Sequence, residues 1–275
     1  MSWEVVVVGA GPAGSSAALT LARKGHEVLL VDREDFPRWK VCGGCLGPTA
    51  LALLDDLGLA DVVRDTGAPV LDAMELRAWK SVARIPLKES LALSRATLDR
   101  LLVSAAEEAG VTFRGGVSVS DVVTDHDGVE LAVRAGGRSE RPRADVLIDA
   151  TGLGRGLALD GARPEEEVRA DARIGVGAVF ARPPDDLGEG ELRMVVDAEG
   201  YVGLVVTEDG RLNVAAALAP ESVGANWPGR AVRSLLERSG TVLGDQEPVE
   251  GWRGTPALNR KVDEAGVPRV FRVAD

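Results

Sequence analysis

Glu4-Val5-Val6-Val7-Val8-Gly9-Ala10-Gly11-Pro12-Ala13-Gly14 stands at the head of the chain, and the fold turns on how it is read. Four consecutive valines with no polar interruption suit a strand buried on both faces, as in a parallel sheet. The glycines that follow fit G-x-G-x-x-G. In that pattern Gly9 allows a tight turn, Gly11 lets the backbone approach a pyrophosphate, and Gly14 permits close helix–strand packing. Residues 13–24 read as the helix, ending near Gly25. At its start, around Pro12 and Ala13, free N–H groups and the positive end of the helix dipole face the phosphates. Glu27 to Asp32 (EVLLVD) is a second buried strand. Asp32, at its end, has the spacing of an acidic residue that accepts hydrogen bonds from a ribose hydroxyl pair. Together these elements predict a βαβ unit opening a doubly wound sheet that binds a dinucleotide.

Outward from this unit, Arg33 to Pro48 is rich in Gly, Pro and Cys and reads as a long loop. A helix is predicted over 48–57 and a β-hairpin over 73–87. Ser94 to Ala109 is a strong helix, with Leu98, Leu101, Leu102 and Ala105 on one face and Gly110 as its stop. Strand signals recur at 111–114, 117–123, 129–134 and 145–150. From 174 to 219 the pattern is all-β, with turns at Glu199-Gly200 and Asp209-Gly210. A helix over 229–239 follows, and Val267 to Asp275 reads as a new strand. Arg182-Pro183-Pro184-Asp185-Asp186 has the composition of a linker.

Bulk properties narrow the function. At 275 residues with 45% hydrophobic content the chain can build a sizeable core. Its formal net charge of -11 argues against a nucleic-acid partner, which needs a basic footprint, and against an anionic membrane surface. Two cysteines make no disulfide framework, and the valine run is far too short to cross a membrane, so the expectation is a cytoplasmic protein without an integral membrane segment. With only two histidines, no Ser-His-Asp, paired-carboxylate or metal constellation competes with cofactor chemistry. Cys42-Gly43-Gly44-Cys45 fits C-x-x-C, but a zinc site would need two more ligands, and His26 and His126 are poorly placed.

Asp32-Arg33-Glu34-Asp35-Phe36-Pro37-Arg38, then Lys40-Val41-Cys42-Gly43-Gly44-Cys45-Leu46, resembles the geranylgeranyl reductase family of FAD-dependent flavoproteins, relatives of aromatic hydroxylases and flavin-dependent halogenases. Ser94-Arg95-Ala96-Thr97-Leu98-Asp99-Arg100-Leu101 is similar to that family's R-x-x-L-D-x-L helix. Ala144 to Gly152 is similar to its strand followed by A-x-G, and Val270 to Asp275 to the start of its G-D motif, with Ala274 in place of the usual glycine. The resemblance implies FAD as cofactor, with NADPH or NADH as a transient electron donor or a separate donor protein. It implies cofactor contacts at Arg33, Arg38, Arg95, Val119, Gly152 and Asp275, beside Gly9, Gly11, Pro12, Ala13, Gly14 and Asp32. It also implies that the Cys42–Gly44 loop passes close to the isoalloxazine, with Cys42 a small neighbour of the ring and Cys45 a packing residue. A redox dithiol is the rival reading of that loop.

The fold class expected is α/β: a Rossmann-like FAD-binding domain with a parallel sheet, and a mainly antiparallel β substrate domain. The division predicted is 1–72 and 94–173, with 256–275 returning, for FAD, and 73–93 and 174–255 for substrate. The expected function is FAD-dependent reduction of a double bond, or flavin-dependent oxygenation, of a small or lipid-like organic substrate. The family continues past the G-D motif with a Gly-rich segment and helices, so a chain ending at Asp275 reads as truncated. A non-catalytic flavin-binding protein and a dithiol oxidoreductase are the alternatives. Halogenation is disfavoured, because Trp79-Lys80 is isolated from any tryptophan segment like that of the halogenases. Tyr201 is kept, but Gly203 and Val205 stand where some family members carry aromatic residues, which weakens a polyprenyl-lipid substrate. Trp39, Trp79, Trp227 and Trp252 are candidates for core or substrate wall, and the catalytic residues are unassigned.

Overall fold

The computed structural model describes residues 2–79, 81–153, 156–163, 165–188, 190–223, 228–262 and 268–273. The chain divides into two compact units, one of residues 1–38, 96–167 and 260–275, the other of residues 39–95 and 168–259.

The first unit is built on the βαβ element read from the sequence: β1 (Ser2–Val8), α1 (Pro12–Arg23) and β2 (Val28–Val31). β1 pairs in parallel with β2 on one side and with the strand Arg143–Asp149 on the other. Thr112–Arg114 extends the parallel run beyond β2, and Val270–Arg272 lies parallel to Arg143–Asp149. The strands Val117–Asp125, Gly128–Ala135 and Arg138–Glu140 add an antiparallel flank, giving an eight-stranded mixed sheet. Side chains alternate along β1. Val6 and Val8 join Leu29, Val31, Leu131 and Leu147 in one cluster, and Ala18 and Leu19 of α1 are fully buried. The last-strand expectation holds for Val270–Arg272, while residues 263–267 and 274–275, including Asp275, lie outside the described residues.

In the second unit a seven-stranded sheet runs, edge to edge, through Glu250–Ala257, Ile174–Phe180, Leu212–Leu218, Gly200–Val206, Glu191–Asp197, Ala73–Ala78 and Ser81–Pro86. Its pairings are antiparallel except that between Glu191–Asp197 and Ala73–Ala78. The helix Pro228–Arg238 buries Val232, Leu235 and Leu236 against Val176, Phe180, Val195, Val202 and Val214 on one face. Trp252 packs edge-on against Phe180, whereas Trp79 is exposed at the hairpin tip. Residues 39–72, read from sequence with the dinucleotide half, group with this unit for a local reason. Cys45–Leu46 pairs with Leu91–Ala92, and Asn213 Nδ2 donates to Cys42 O at 2.9 Å. The 182–186 segment is no linker either, since Asp186 is tied to two arginines of the sheet and Leu187 is buried.

Those arginines belong to a buried ion network. Arg193 is fully buried, with Nε 2.8 Å from Glu75 Oε1, Nη1 donating to Asp186 Oδ1 at 3.0 Å and Nη2 donating to Asp186 O at 2.6 Å. Without Arg193, Glu75 and Asp186 keep Arg77, but the Asp186 carbonyl and the buried Glu191 lose a donor and the fully buried side chain leaves a void. Arg193→Ala is therefore expected to lower unfolding free energy by about 3 kcal/mol in urea titrations. A loss below about 1 kcal/mol would mean that the network contributes no more than a surface pair.

Candidate dinucleotide site

The turn between β1 and α1 is closed by sterics. Gly9 has φ +105°, and a Cβ there would lie 2.2 Å from Ala150 O. A Cβ at Gly14 would lie 1.9 Å from Gly9 O and 2.9 Å from Ala150 Cβ. Both obstacles at the shorter distance are backbone atoms, so neither can move aside as a side chain would. Gly11 is the N-cap of α1 in extended conformation and offers no side-chain cap, Pro12 opens the helix, and its first turn holds no acidic residue. Helix geometry leaves the leading N–H groups without intrahelical acceptors, and the dipole adds positive potential there. Ser15 Oγ, fully buried, has no hydrogen-bond partner among the described residues. The sequence reading passed over this hydroxyl, although a serine directly after the third glycine was its visible signal. A bare helix start flanked by glycines that cannot bear a methyl group fits a pyrophosphate.

Asp32 closes β2 and organises the loop around it. Its Oδ2 accepts from Ala10 N–H at 2.8 Å and from Arg38 Nη2 at 3.2 Å, while Oδ1 accepts from Glu34 N–H at 3.0 Å. The structure thus brings Asp32 and Arg38 together with the glycine turn. Arg33 is not drawn in: it is exposed, 3.6 Å from the Glu34 carboxylate. Val119 lies within the strand Val117–Asp125 and packs on the cluster beneath β1. Gly152, at φ +69°, follows a second buried carboxylate. Asp149 accepts from Thr151 N–H at 3.1 Å, Thr151 Oγ1 at 2.7 Å and Leu157 N–H at 3.0 Å.

In the second unit the Cys42–Cys45 loop is held by Asn213 and by Leu93 N–H donating to Gly44 O at 2.8 Å. Gly44 has φ +70°, and a Cβ there would come within 3.1 Å of Asn213 Nδ2, but one at Gly43 would meet nothing within 4 Å. Gly44 is thus constrained by its own backbone conformation and by Asn213, and Gly43 borders open space. Both cysteines are free thiols. Solvent reaches Cys45, yet the protein packed around its sulfur, and then the neighbouring Cys42, push its pKa up to about 12. A thiol held protonated is a poor nucleophile, which speaks against a cycling dithiol. Arg95 begins the helix Arg95–Glu108, and Ser94 before it is anchored by donating from N–H at 2.8 Å and from Oγ at 2.6 Å to the two oxygens of Glu208.

Residues 2–158 match the FAD binding domain family. The chain belongs to that family, and its cofactor is FAD. Among curated relatives it is 36% identical over 172 residues to a menaquinone reductase of Mycolicibacterium smegmatis, covering 58% of this chain and 38% of that one. It is 33% identical over 211 residues to a kynurenine 3-monooxygenase of Salinispora arenicola, covering 72% and 44%. A third relative is a 1H-pyrrole-2-carbonyl-[peptidyl-carrier protein] brominase of Pseudoalteromonas luteoviolacea, 32% identical over 174 residues, covering 61% and 42%. The matches with these relatives thus span 38%, 44% and 42% of their lengths. Among solved structures the myxobacterial chondrochloren halogenase superposes with a TM-score of 0.84 at 21% identity, over 99% of this chain and 68% of that one. This likeness establishes the mixed α/β FAD-binding fold.

Two outcomes follow. Gly14→Ala is expected to leave the purified protein with less than about a tenth of its FAD, measured as bound flavin per chain, because the added carbon meets backbone. Full loading would show that the turn can relax without cost. Cys45 is expected to react with iodoacetamide at mildly alkaline pH at least about tenfold more slowly than an unperturbed cysteine, since the greater nucleophilicity of a high-pKa thiolate offsets part of its scarcity. Labelling of Cys45 at an ordinary rate would contradict the raised pKa.

Proposed function

We propose that this chain is the flavin-holding and substrate-facing part of an FAD-dependent oxidoreductase that reduces a double bond in a small or lipid-like organic molecule. The observation that carries the cofactor half is the Gly9–Gly14 turn closed on Ala150, with a bare helix start behind it and Asp32 beside it. When bound, FAD supplies the two-electron chemistry. The chain's own residues then bind and orient. N–H groups at the head of α1 hold the pyrophosphate, Asp32 accepts from the adenosine ribose, and Gly152, Arg95 and Asp275 are assigned to the rest of the cofactor by resemblance. The same resemblance assigns the Cys42–Gly44 loop to the cofactor, and the seven-stranded sheet of the second unit is assigned to substrate.

Support for reduction comes from the menaquinone reductase relatives and from the motifs similar to geranylgeranyl reductases at 32–46, 94–101 and 144–152. Gly203 and Val205 stand where some members of that family carry aromatic residues, which weighs against a polyprenyl-lipid substrate. Oxygenation is the second reading, favoured by the longer kynurenine 3-monooxygenase match. Trp79, exposed on the surface, gives halogenation no comparable support, notwithstanding the brominase and halogenase likenesses. We place the protein in the cytoplasm, where two free thiols persist, with NADPH or NADH as donor. No described helix is long and apolar enough to cross a membrane.

The deciding experiment is anaerobic. The FAD-loaded protein is mixed with NADPH or NADH, then with candidate quinones and enones, and flavin absorbance is followed. A reductase is expected to be bleached by the donor and reoxidised by its substrate without oxygen. Reoxidation by oxygen alone, with substrate hydroxylated, would replace this reading with oxygenation.

A further inference from the structure

Arg38 sits where a cofactor ligand was expected, but its surroundings describe a different task. We propose that Arg38 and Asp99 are positioning residues, which orient the Asp32 carboxylate toward the adenosine ribose of FAD, and that Arg38 itself does not touch the cofactor. The inference rests on the reading of Asp32 as the ribose acceptor.

The guanidinium is 8% exposed and clamped from several sides. Nη2 donates to Asp32 Oδ2 at 3.2 Å. Nη1 stands 3.3 Å from Oδ2 of Asp99, which is fully buried on the helix Arg95–Glu108; this is an ion pair without hydrogen-bond alignment. The Phe36 ring lies 4.6 Å from Cζ and is itself braced edge-on by Phe113 at 5.3 Å. Nε and Nη1 are closed off from solvent and make no hydrogen bond, so a cofactor oxygen could not reach them unless the clamp opened. A buried, incompletely bonded guanidinium costs free energy that an apolar replacement would avoid. Such a group stabilises little, and orientation is the role that remains.

The Asp32 oxygens show what is oriented. Each carboxylate oxygen has two lone pairs. Oδ2 receives two donors, Ala10 N–H and Arg38, whereas Oδ1 receives only Glu34 N–H. Arg38 therefore breaks the symmetry of the carboxyl and leaves Oδ1 with acceptor capacity for a ribose hydroxyl. Asp99 fixes the other end of the planar fork, and with it the plane of the guanidinium. One guanidinium shared by two carboxylates also leaves an excess of negative charge, so Asp32 is not neutralised and keeps its strength as an acceptor.

The test uses apoprotein and two flavins, FAD and FMN, because FMN lacks the adenosine that Asp32 would hold. Dissociation constants come from flavin fluorescence, with melting temperatures of the apo forms recorded alongside. Asp99→Asn and Arg38→Lys are each expected to weaken FAD about tenfold while leaving FMN unchanged, matching the pattern of Asp32→Asn. Equal weakening of both flavins, or unchanged FAD affinity in both variants, overturns the inference. If Asp99→Asn does not fold, Arg38→Lys decides by the same comparison. An FAD-selective loss in Asp32→Asn without one in the other two overturns the positioning role alone. Wild-type protein that binds neither flavin overturns the proposed function with it.

Discussion

The closest constraint in this protein is a pair of glycines pressed against one alanine. Gly9 meets the backbone of Ala150, and Gly14 meets the Gly9 carbonyl and the Ala150 methyl group, at distances that admit no further carbon. The neighbouring strands leave no slack, since Val8 is registered against Asp149 in the parallel pairing. The start of α1 is therefore set by contact with the end of the strand Arg143–Asp149, not by the turn alone. A helix so placed aims its unbonded N–H groups in one direction, and the remaining site residues arrange themselves around that direction.

A common device then appears at the ends of the two strands that flank β1. Asp32 follows β2 and Asp149 ends Arg143–Asp149; each is buried, and each gathers backbone N–H groups from the loop that follows its strand. Asp32 also takes Ala10 N–H from the glycine turn. Loops at the carboxyl ends of parallel strands are where ligands bind in such sheets. A carboxylate that collects several N–H donors holds such a loop without needing a long turn motif. The cofactor side of the sheet is thereby organised by two aspartates and two glycines, with little help from apolar packing.

Much of this could be read in the residues, for a physical reason: the decisive signals are local. A valine run, a glycine spacing and an acidic residue after the next strand all lie within the first 32 positions, and the helix Arg95–Glu108 announces itself by its apolar stripe and Gly110. What escaped reading depends on long-range pairing. Cys45–Leu46 and Leu91–Ala92 form strands only by meeting each other. Glu250–Ala257 contains two glycines and a proline, so propensity opposes it; it is a sheet edge with register shifts, held by its neighbour Ile174–Phe180. The helix Ala60–Arg64 is too short to show a period. In the site, Arg38 was visible as a motif residue, but its clamp needs Asp32 and Asp99 brought together by the fold, and no spacing along the chain announces that.

The first unit takes its chain from three separate stretches, 1–38, 96–167 and 260–275. Its parallel sheet is stitched from residues far apart in sequence, with Val6 opposite Leu147, and Leu147 opposite Val270. Closing such loops costs chain entropy before any pairing rewards it, so a sheet of this topology assembles slowly compared with one of local hairpins. On a ribosome, β1, α1 and β2 emerge early with their valine-rich faces and must wait for Arg143–Asp149 and then Val270–Arg272. In the second unit Glu191–Asp197, Gly200–Val206 and Leu212–Leu218 pair with the strands next to them in sequence and can form as they are made. The dinucleotide turn therefore acquires its final shape only after Arg143–Asp149 and Ala150 have been made.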